Sequence, residues 1–390
     1  MTITDLKTFV VNPGNRVPFG SGWGKNWIFV KLYTDQGLEG VGEAFSTGQD
    51  LATVQVLEGF KRWLVGRDPT RVMHHWQALH RSARYPMGTA SMSALSAVEI
   101  ALWDLTGKAF GAPIYRLLGG PCRDRIRVYA GGLLVPAAAD QVAAARALVQ
   151  QGFGAIKFWP QPAEYAGESG LALVEHAVGL TRTLREAVGD GVDLCIDYHG
   201  RSFSPAEALQ TVKALEGFGL MFLEEPTLYD NVDTLAELKA KTTVPIAAGE
   251  KIVGRAQWRE LIAKRAVDII QPDPVVCGGI TETLKIAAMA EVYHVLLAPH
   301  HASGPVAMAA CAHIAACAPN FLIQEFGVID SACTRAIVPE PLQFREGYLD
   351  LPEAPGLGIA FDEEAARAYP YRPFDRPVVI DRRDGSIGFE

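Results

Sequence analysis

Three short stretches share one design: DLCIDYHG at 193–200, MFLEEP at 221–226 and VPIAAGE at 244–250. Each is an apolar run that ends in or leads to a carboxylate, and those carboxylates, Asp197, Glu224 and Glu250, stand 27 and 26 residues apart. That spacing is one strand plus one crossover helix. Reading outward, similar runs lie at Ile126–Ala130, Ala155–Trp159, Asp193–Asp197, Met221–Glu224, Val244–Ala248, Asp268–Gln271, Val295–Ala298 and Phe321–Gln324. Amphipathic segments such as Ala137–Gln151, Gly170–Val188, Pro205–Leu215, Ala256–Lys264 and Thr281–Ala290 alternate with them. Eight such units over about 200 residues predict an α/β protein with a closed parallel (β/α)8 barrel, TIM-like, rather than an open doubly wound sheet.

The barrel is expected to occupy residues 126–339. Ahead of it, Ile3–Val11, Trp27–Tyr33 and Glu39–Phe45 read as an antiparallel meander, with helices near 51–65 and 90–110. Residues 1–125 are therefore expected to form an α+β capping domain, with the non-repeating tail 340–390 folded back on it. The Gly- and aromatic-rich segment Pro13–Asn26 has the composition of a loop that closes over a barrel mouth.

Of 390 residues, 49% are hydrophobic and 21% charged, the balance of a chain with a large core and not of a disordered one. A formal net charge of -8 argues against a nucleic-acid-coating protein. No stretch approaches the roughly 18 apolar residues of a membrane span, and Asp5 sits where a signal peptide carries positive charge. A soluble, cytoplasmic protein without membrane or nucleic-acid partners is expected. The six scattered cysteines read as reduced thiols.

In a βα barrel the C-terminal strand ends converge on one open face. Asp197, Glu224 and Glu250 on three successive ends would crowd their charges together, which demands a cation. An all-oxygen, carboxylate-rich set suits Mg²⁺. The next three units lead into Asp273, His300 and Glu325. An Asp273–His300 pair on adjacent strand ends would make an oriented, basic imidazole. His301 competes with His300, but successive residues point opposite ways, so only one is expected to face the metal. His199, two residues after Asp197, is expected on the same side of an extended segment. His74, His75, His80, His294 and His313 read as structural.

These residues resemble the enolase superfamily and, within it, the mandelate racemase-like branch that includes acid-sugar dehydratases. The resemblance spans nearly the whole chain. It rests on SALSAVEIALWDLTGKAFGAPIYRLLGG at 93–120, on Asp197, Glu224 and Glu250, on QPD with Asp273, on GGIT at 278–281 and on His300. It implies a Mg²⁺-dependent enzyme that removes the α-proton of a carboxylate substrate. Glu325 resembles the branch's strand-eight acid, which hydrogen-bonds the substrate carboxylate if it is protonated, as a buried acid beside other negative charges would be. The resemblance also implies a homo-oligomer, a dimer or an octamer.

Racemases of the branch carry Lys-x-Lys on strand two, where this chain has Lys157-Phe158-Trp159. Trp159 cannot exchange a proton near neutral pH, so the paired bases that invert a stereocentre are missing. The DYHGR segment at 197–201 instead resembles galactonate and mannonate dehydratases, in which a His two residues after the first ligand is the acid for a leaving hydroxyl. The mechanism expected is abstraction of the C2 proton of an aldonate by His300, oriented by Asp273, with His199 protonating the departing C3 hydroxyl; a substrate of opposite C2 configuration would exchange the two roles. The product is a 2-keto-3-deoxy acid. Lys157 would be an electrostatic aid or a substrate contact, and Arg201 and Trp159 substrate contacts. Two other readings are a racemase, epimerase or cycloisomerase of a sugar acid or its lactone on the same scaffold, and a non-catalytic sugar-acid binder.

Overall fold

The computed structural model describes residues 1–14, 24–133, 138–160, 170–200, 202, 204–228, 230–327, 331–373, 380–381 and 387–388. Most of the Pro13–Asn26 loop and Arg201 lie outside them.

β1 (Ile3–Val11), β2 (Trp27–Thr34) and β3 (Glu39–Ala44) form an antiparallel meander. Four helices follow: α1 (Asp50–Leu64), α2 (Val72–Ser82), α3 (Thr89–Ala109) and the single turn α4 (Ile114–Leu117). Ile28, Val30 and Leu32 of β2 share a core with Leu57, Leu95, Val98 and Leu102, so helices cover one face of the sheet. Among these, α2 and α4 were not foreseen from the sequence; α2 buries Val72, His75, Trp76 and Leu79 at i, i+3, i+4 and i+7, but a histidine stands within that face and the run is short.

Eight parallel strands then make the barrel: β4 (Arg125–Leu133), β5 (Ala155–Phe158), β6 (Asp193–Asp197), β7 (Phe222–Glu224), β8 (Ile246–Ala248), β9 (Ile269–Ile270), β10 (Leu296–Leu297) and β11 (Gln324–Phe326). β11 pairs with β4, and the bridge Leu297↔Phe321 joins β10 to the chain entering β11, which closes the ring. Between the strands run α5 (Ala138–Gln150), α6 (Leu171–Val188), α7 (Pro205–Leu215), α8 (Val232–Lys239), α9 (Gly254–Ala263), the short α10 (Pro274–Cys277), α11 (Ile280–Glu291) and α12 (Pro305–Cys317).

One apolar residue from each strand or its flank fills the barrel floor: Tyr129, Ala155, Cys195, Phe222, Ala247, Ile269, Ala298 and Ile323. This layer fixes the parity of everything above it, because side chains two residues further along a strand point the same way. The next inward positions are Lys157, Asp197, Glu224, Gln271, His300 and Glu325. The active face is thus set by the floor.

After the barrel come α13 (Ala332–Ile337), the hairpin β12 (Phe344–Arg345) and β13 (Tyr348–Asp350), α14 (Glu363–Arg367) and the pair β14 (Ile380–Asp381) and β15 (Ile387–Gly388). β13 pairs antiparallel with the start of β4. Phe361 then packs on Phe9 and Phe29, with centroids 5.6 and 5.0 Å away, and Glu363 accepts from Lys31 Nζ at 2.7 Å. The tail therefore touches both the barrel and the meander.

Candidate active site

Asp197 and Glu224 are direct register partners at the ends of β6 and β7. Glu250 breaks the parity of β8: counted by twos from Ala247, the inward residue would be Gly249. Gly249 has φ +135°, and a Cβ there would lie 2.0 Å from the ring of Trp258, so only glycine fits and the chain turns Glu250 inward. One carboxylate oxygen from each of Asp197, Glu224 and Glu250 lies within 4.8 Å of the others. Glu224 Oε1 is buried and accepts no hydrogen bond from the protein. An orphaned carboxylate oxygen inside such a cluster is a place for a cation, and the triad is positioned for a divalent metal; hard, all-oxygen donors suit Mg²⁺.

The charges around the triad are arranged, not merely collected. Lys157 Nζ lies 2.9 Å from Glu224 Oε2, 2.9 Å from Glu325 Oε1 and 3.4 Å from Asp197 Oδ2. Burial works against its charge, yet Glu224 and Glu325 hold the Lys157 pKa well above the ordinary lysine value. Burial and then the charge of Asp197 push Glu224 well above the usual carboxylate range. Burial opposes ionisation of Glu250 too, but His300 and Lys251 keep it well below that range.

Glu325 differs from expectation. It was read as an acid held protonated by neighbouring anions, yet it faces cations: Lys157, then His300, outweigh burial and lower its pKa. Its carboxylate oxygens accept from His301 N at 3.0 Å and from Lys157 Nζ at 2.9 Å.

His300 Nδ1 lies 2.8 Å from Asp273 Oδ2, and its Nε2 points at Glu250 Oε2, 3.1 Å away. Asp273 Oδ1 accepts from Val275 N at the start of α10, which fixes the carboxylate that orients the ring. Burial opposes protonation of His300, but the Glu250 charge and the bond to Asp273 raise its pKa well above 6.5. His301 turns the other way: its Nε2 meets the Gly304 carbonyl at 3.1 Å and its main chain is tied to Glu325.

His199 reaches the site by a route other than the extended segment expected. β6 ends at Asp197, and His199 takes φ +52°, a left-handed conformation rare outside glycine. The turn still brings Nε2 to 3.2 Å from Asp197 Oδ2. Trp159 is half-buried and meets the His199 ring edge-on, centroids 4.7 Å apart. Of the other histidines, His75 bonds Trp63 and the Asp68 carbonyl, and His313 is fully buried and accepts from Tyr115 N.

Three neighbours of the triad escape the sequence reading. Gln271 Nε2 donates to Glu224 Oε2 at 2.8 Å, and a count of two from Ile269 would have placed it there. Lys251 lies 3.4 Å from Glu250 Oε1 and pairs with the buried Glu225, itself at φ +43°. No spacing rule anticipates a residue after a glycine break.

Residues 140–365 match the family model Enolase C-terminal domain-like, and residues 5–119 match the Mandelate racemase / muconate lactonizing enzyme, N-terminal domain. The chain belongs to the mandelate racemase/muconate lactonizing enzyme branch of the enolase superfamily. Within that branch it is 36% identical over 397 residues, 99% of each chain, to a D-galactonate dehydratase of Xanthomonas euvesicatoria pv. vesicatoria. It is 37% identical over 405 residues, again 99% of each, to a D-galactonate dehydratase of Ralstonia nicotianae. The crystal structure of an enolase from Agrobacterium radiobacter, bound to Na and L-malate, superposes over 100% of both chains with a TM-score of 0.90 and 34% identity. No helix among the described residues is long and apolar enough to cross a membrane.

Proposed function

We propose that this enolase-superfamily chain dehydrates an acid sugar of the D-galactonate type to a 2-keto-3-deoxy acid. The observation that carries the reading is the pair of histidines around one carboxylate triad: His300 at Glu250 and His199 at Asp197, on strand ends four positions apart in the ring. A pure binder has no use for two titrating groups at one metal site. The names of the Xanthomonas and Ralstonia relatives support the same substrate class.

In this reading a divalent ion on Asp197, Glu224 and Glu250 supplies the positive charge that makes a proton alpha to a carboxylate acidic enough to remove. With Glu250 committed to that ion, the charge that raises the His300 pKa is relieved and Nε2 is freed from that carboxylate; His300 Nε2 then takes the C2 proton while Asp273 on Nδ1 holds the ring in line. His199 gives its proton to the C3 hydroxyl, which leaves as water; the enol then ketonises. Lys157 supplies fixed positive charge beside Glu325 and Glu224, and Trp159 orients His199 and contacts the substrate. Arg201 is assigned a substrate contact on the resemblance alone. Racemisation is disfavoured because Lys157 is locked among three carboxylates with Trp159, not a second lysine, beside it. We place the enzyme in the cytoplasm as a homo-oligomer, as its acidic composition and its family suggest.

The test is a semicarbazide assay for 2-keto-3-deoxy acid with Mg²⁺ over a set of aldonates and aldarates. Keto acid from one or a few substrates, abolished in His300→Asn, is the expected result. C2 deuterium uptake without keto acid would overturn dehydration in favour of epimerisation.

A further inference from the structure

The loop that carries His300 runs from β10 to α12 and has three anchors. Gln324 Nε2 donates to the Pro299 carbonyl at 3.1 Å, and His301 N donates to Glu325 Oε2 at 3.0 Å. The third comes from the capping domain. Glu43, on β3 and fully buried, accepts from Gly304 N on Oε1 and from Ala307 N on Oε2 at 2.8 Å. The carboxyl thereby caps the thirteen-residue α12, although burial outweighs these two N–H bonds and pushes its pKa up to about 8. Gly304 is pressed from the same side: a Cβ there would sit 2.7 Å from Glu43 Oε1 and 3.0 Å from the Trp27 ring.

A cap alone needs no such placement. Gly304 also offers its carbonyl to His301 Nε2 at 3.1 Å, so Glu43 holds one end of a chain of contacts, Glu43 to Gly304 to His301 to Glu325, that spans the loop behind His300. Asp273 orients the imidazole about its ring, but only the loop sets how far Nε2 projects toward Glu250. We propose that Glu43 is a positioning residue for the proton abstraction, fixing the His300 loop from the capping domain. The inference rests on the reading of His300 as the base in dehydration.

The experiment compares the Mg²⁺-loaded wild-type enzyme with Glu43→Gln, Glu43→Asp and, as a control, Asp104→Asn. Asp104 is likewise buried and accepts from two main-chain N–H groups, of Val41 on the same strand β3 and of Leu357, and from Lys108 Nζ, with no bond to the His300 loop. A glutamine can accept from only one of the two N–H groups that Glu43 serves. For Glu43→Gln, kcat should fall roughly 10- to 100-fold with KM within about twofold, as a small misplacement of a reacting group predicts. The isotope effect with C2-deuterated substrate should rise, and Glu43→Asp should restore part of kcat. The control should lose stability without change in either kinetic readout. An unchanged kcat and isotope effect in Glu43→Gln, with only a lower melting temperature, would overturn the proposal and leave Glu43 a plain helix cap. Should Glu43→Gln fail to fold, Gly304→Ala strains the same contact from the loop side and carries the same expectations.

A second readout separates this inference from the reading beneath it. With ¹⁵N-labelled histidine, the His300 ring resonances of the Mg²⁺-loaded protein should shift or broaden in Glu43→Gln and not in Asp104→Asn. If no sugar acid is dehydrated, the functional reading fails while this shift still supports the positioning role. Unmoved His300 resonances would overturn that role whatever the activity.

Discussion

His199 and His300 differ in how firmly they are held, and their variants should differ in kind. His300 is buried and pinned at both ring nitrogens by Asp273 and Glu250, whereas the His199 side chain is 20% exposed on a left-handed turn. If His300 removes the C2 proton and His199 serves only the leaving hydroxyl, His199→Gln should lose keto-acid formation by roughly 10²- to 10⁴-fold, the usual worth of a general acid. It should still exchange the C2 proton for deuterium in D₂O. His300→Asn should lose both. Proton NMR of the substrate decides this, and exchange surviving in His300→Asn would sink the assignment. Most of these residues were legible because a period of two carries a strand's inward face from the barrel floor to its rim. Gln271 obeys that period too, but an uncharged amide gives no electrostatic signal to look for. Glu325 also lies on that inward face, but strand spacing does not reveal that Lys157 reaches across to it.

Among the elements, helix N-termini show how the two domains are fastened. Glu99 of α3 accepts from Ile280 N and Thr281 N at the start of α11, as Glu43 does for α12. Burial pushes the Glu99 pKa up to about 7, against an ordinary 4.5. The folded state therefore holds this proton more tightly than the unfolded chain. Its contribution to stability is fully present below about 4.5 and is lost as pH rises through about 7. Glu99→Gln should remove about 1.4 kcal/mol per pH unit from the downward slope of unfolding free energy between those values, as one proton requires. Denaturant titrations at several pH values measure it, and parallel slopes for both proteins would refute it. Gly249 gives a second test at this scale. Gly249→Ala meets both φ +135° and the Trp258 ring, so stability should fall by about 2 kcal/mol and Mg²⁺ affinity at least tenfold, read by calorimetric titration. Elements themselves were legible where they repeat. β11 was expected at 321–324 and lies at Gln324–Phe326, because the chain first bridges Leu297 and only then pairs with β4. Such a change of partner leaves no mark in an apolar run.

At the scale of the whole molecule, the contacts that join capping domain, barrel and tail link residues far apart in sequence, as Glu43 to Gly304, Glu99 to Ile280 and Asp104 to Leu357 do. No periodicity records such pairings, so the domains could be read from sequence but their docking could not. The same architecture concentrates Asp197, Glu224, Glu250 and Glu325 at one mouth, with Lys157, Lys251 and the two histidines as counter-charges. Asp197 is the member whose charge weighs most, after burial, on Glu224. Folding without a cation therefore works against repulsion within the triad, and binding one relieves it. Mg²⁺ at about 100 times its dissociation constant should raise the unfolding free energy by about 2.7 kcal/mol, the mass-action value for a ligand that binds only the folded state. Asp197→Asn should abolish that increment. It should leave the metal-free protein as stable as the wild type or more so, because the amide keeps the shape and removes one of the repelling charges. Urea titrations with and without Mg²⁺ separate the two effects. An equal Mg²⁺ increment in both proteins would move the ion away from the triad, and a large loss in the metal-free variant would mean that the ion pair with Lys157 outweighs the repulsion.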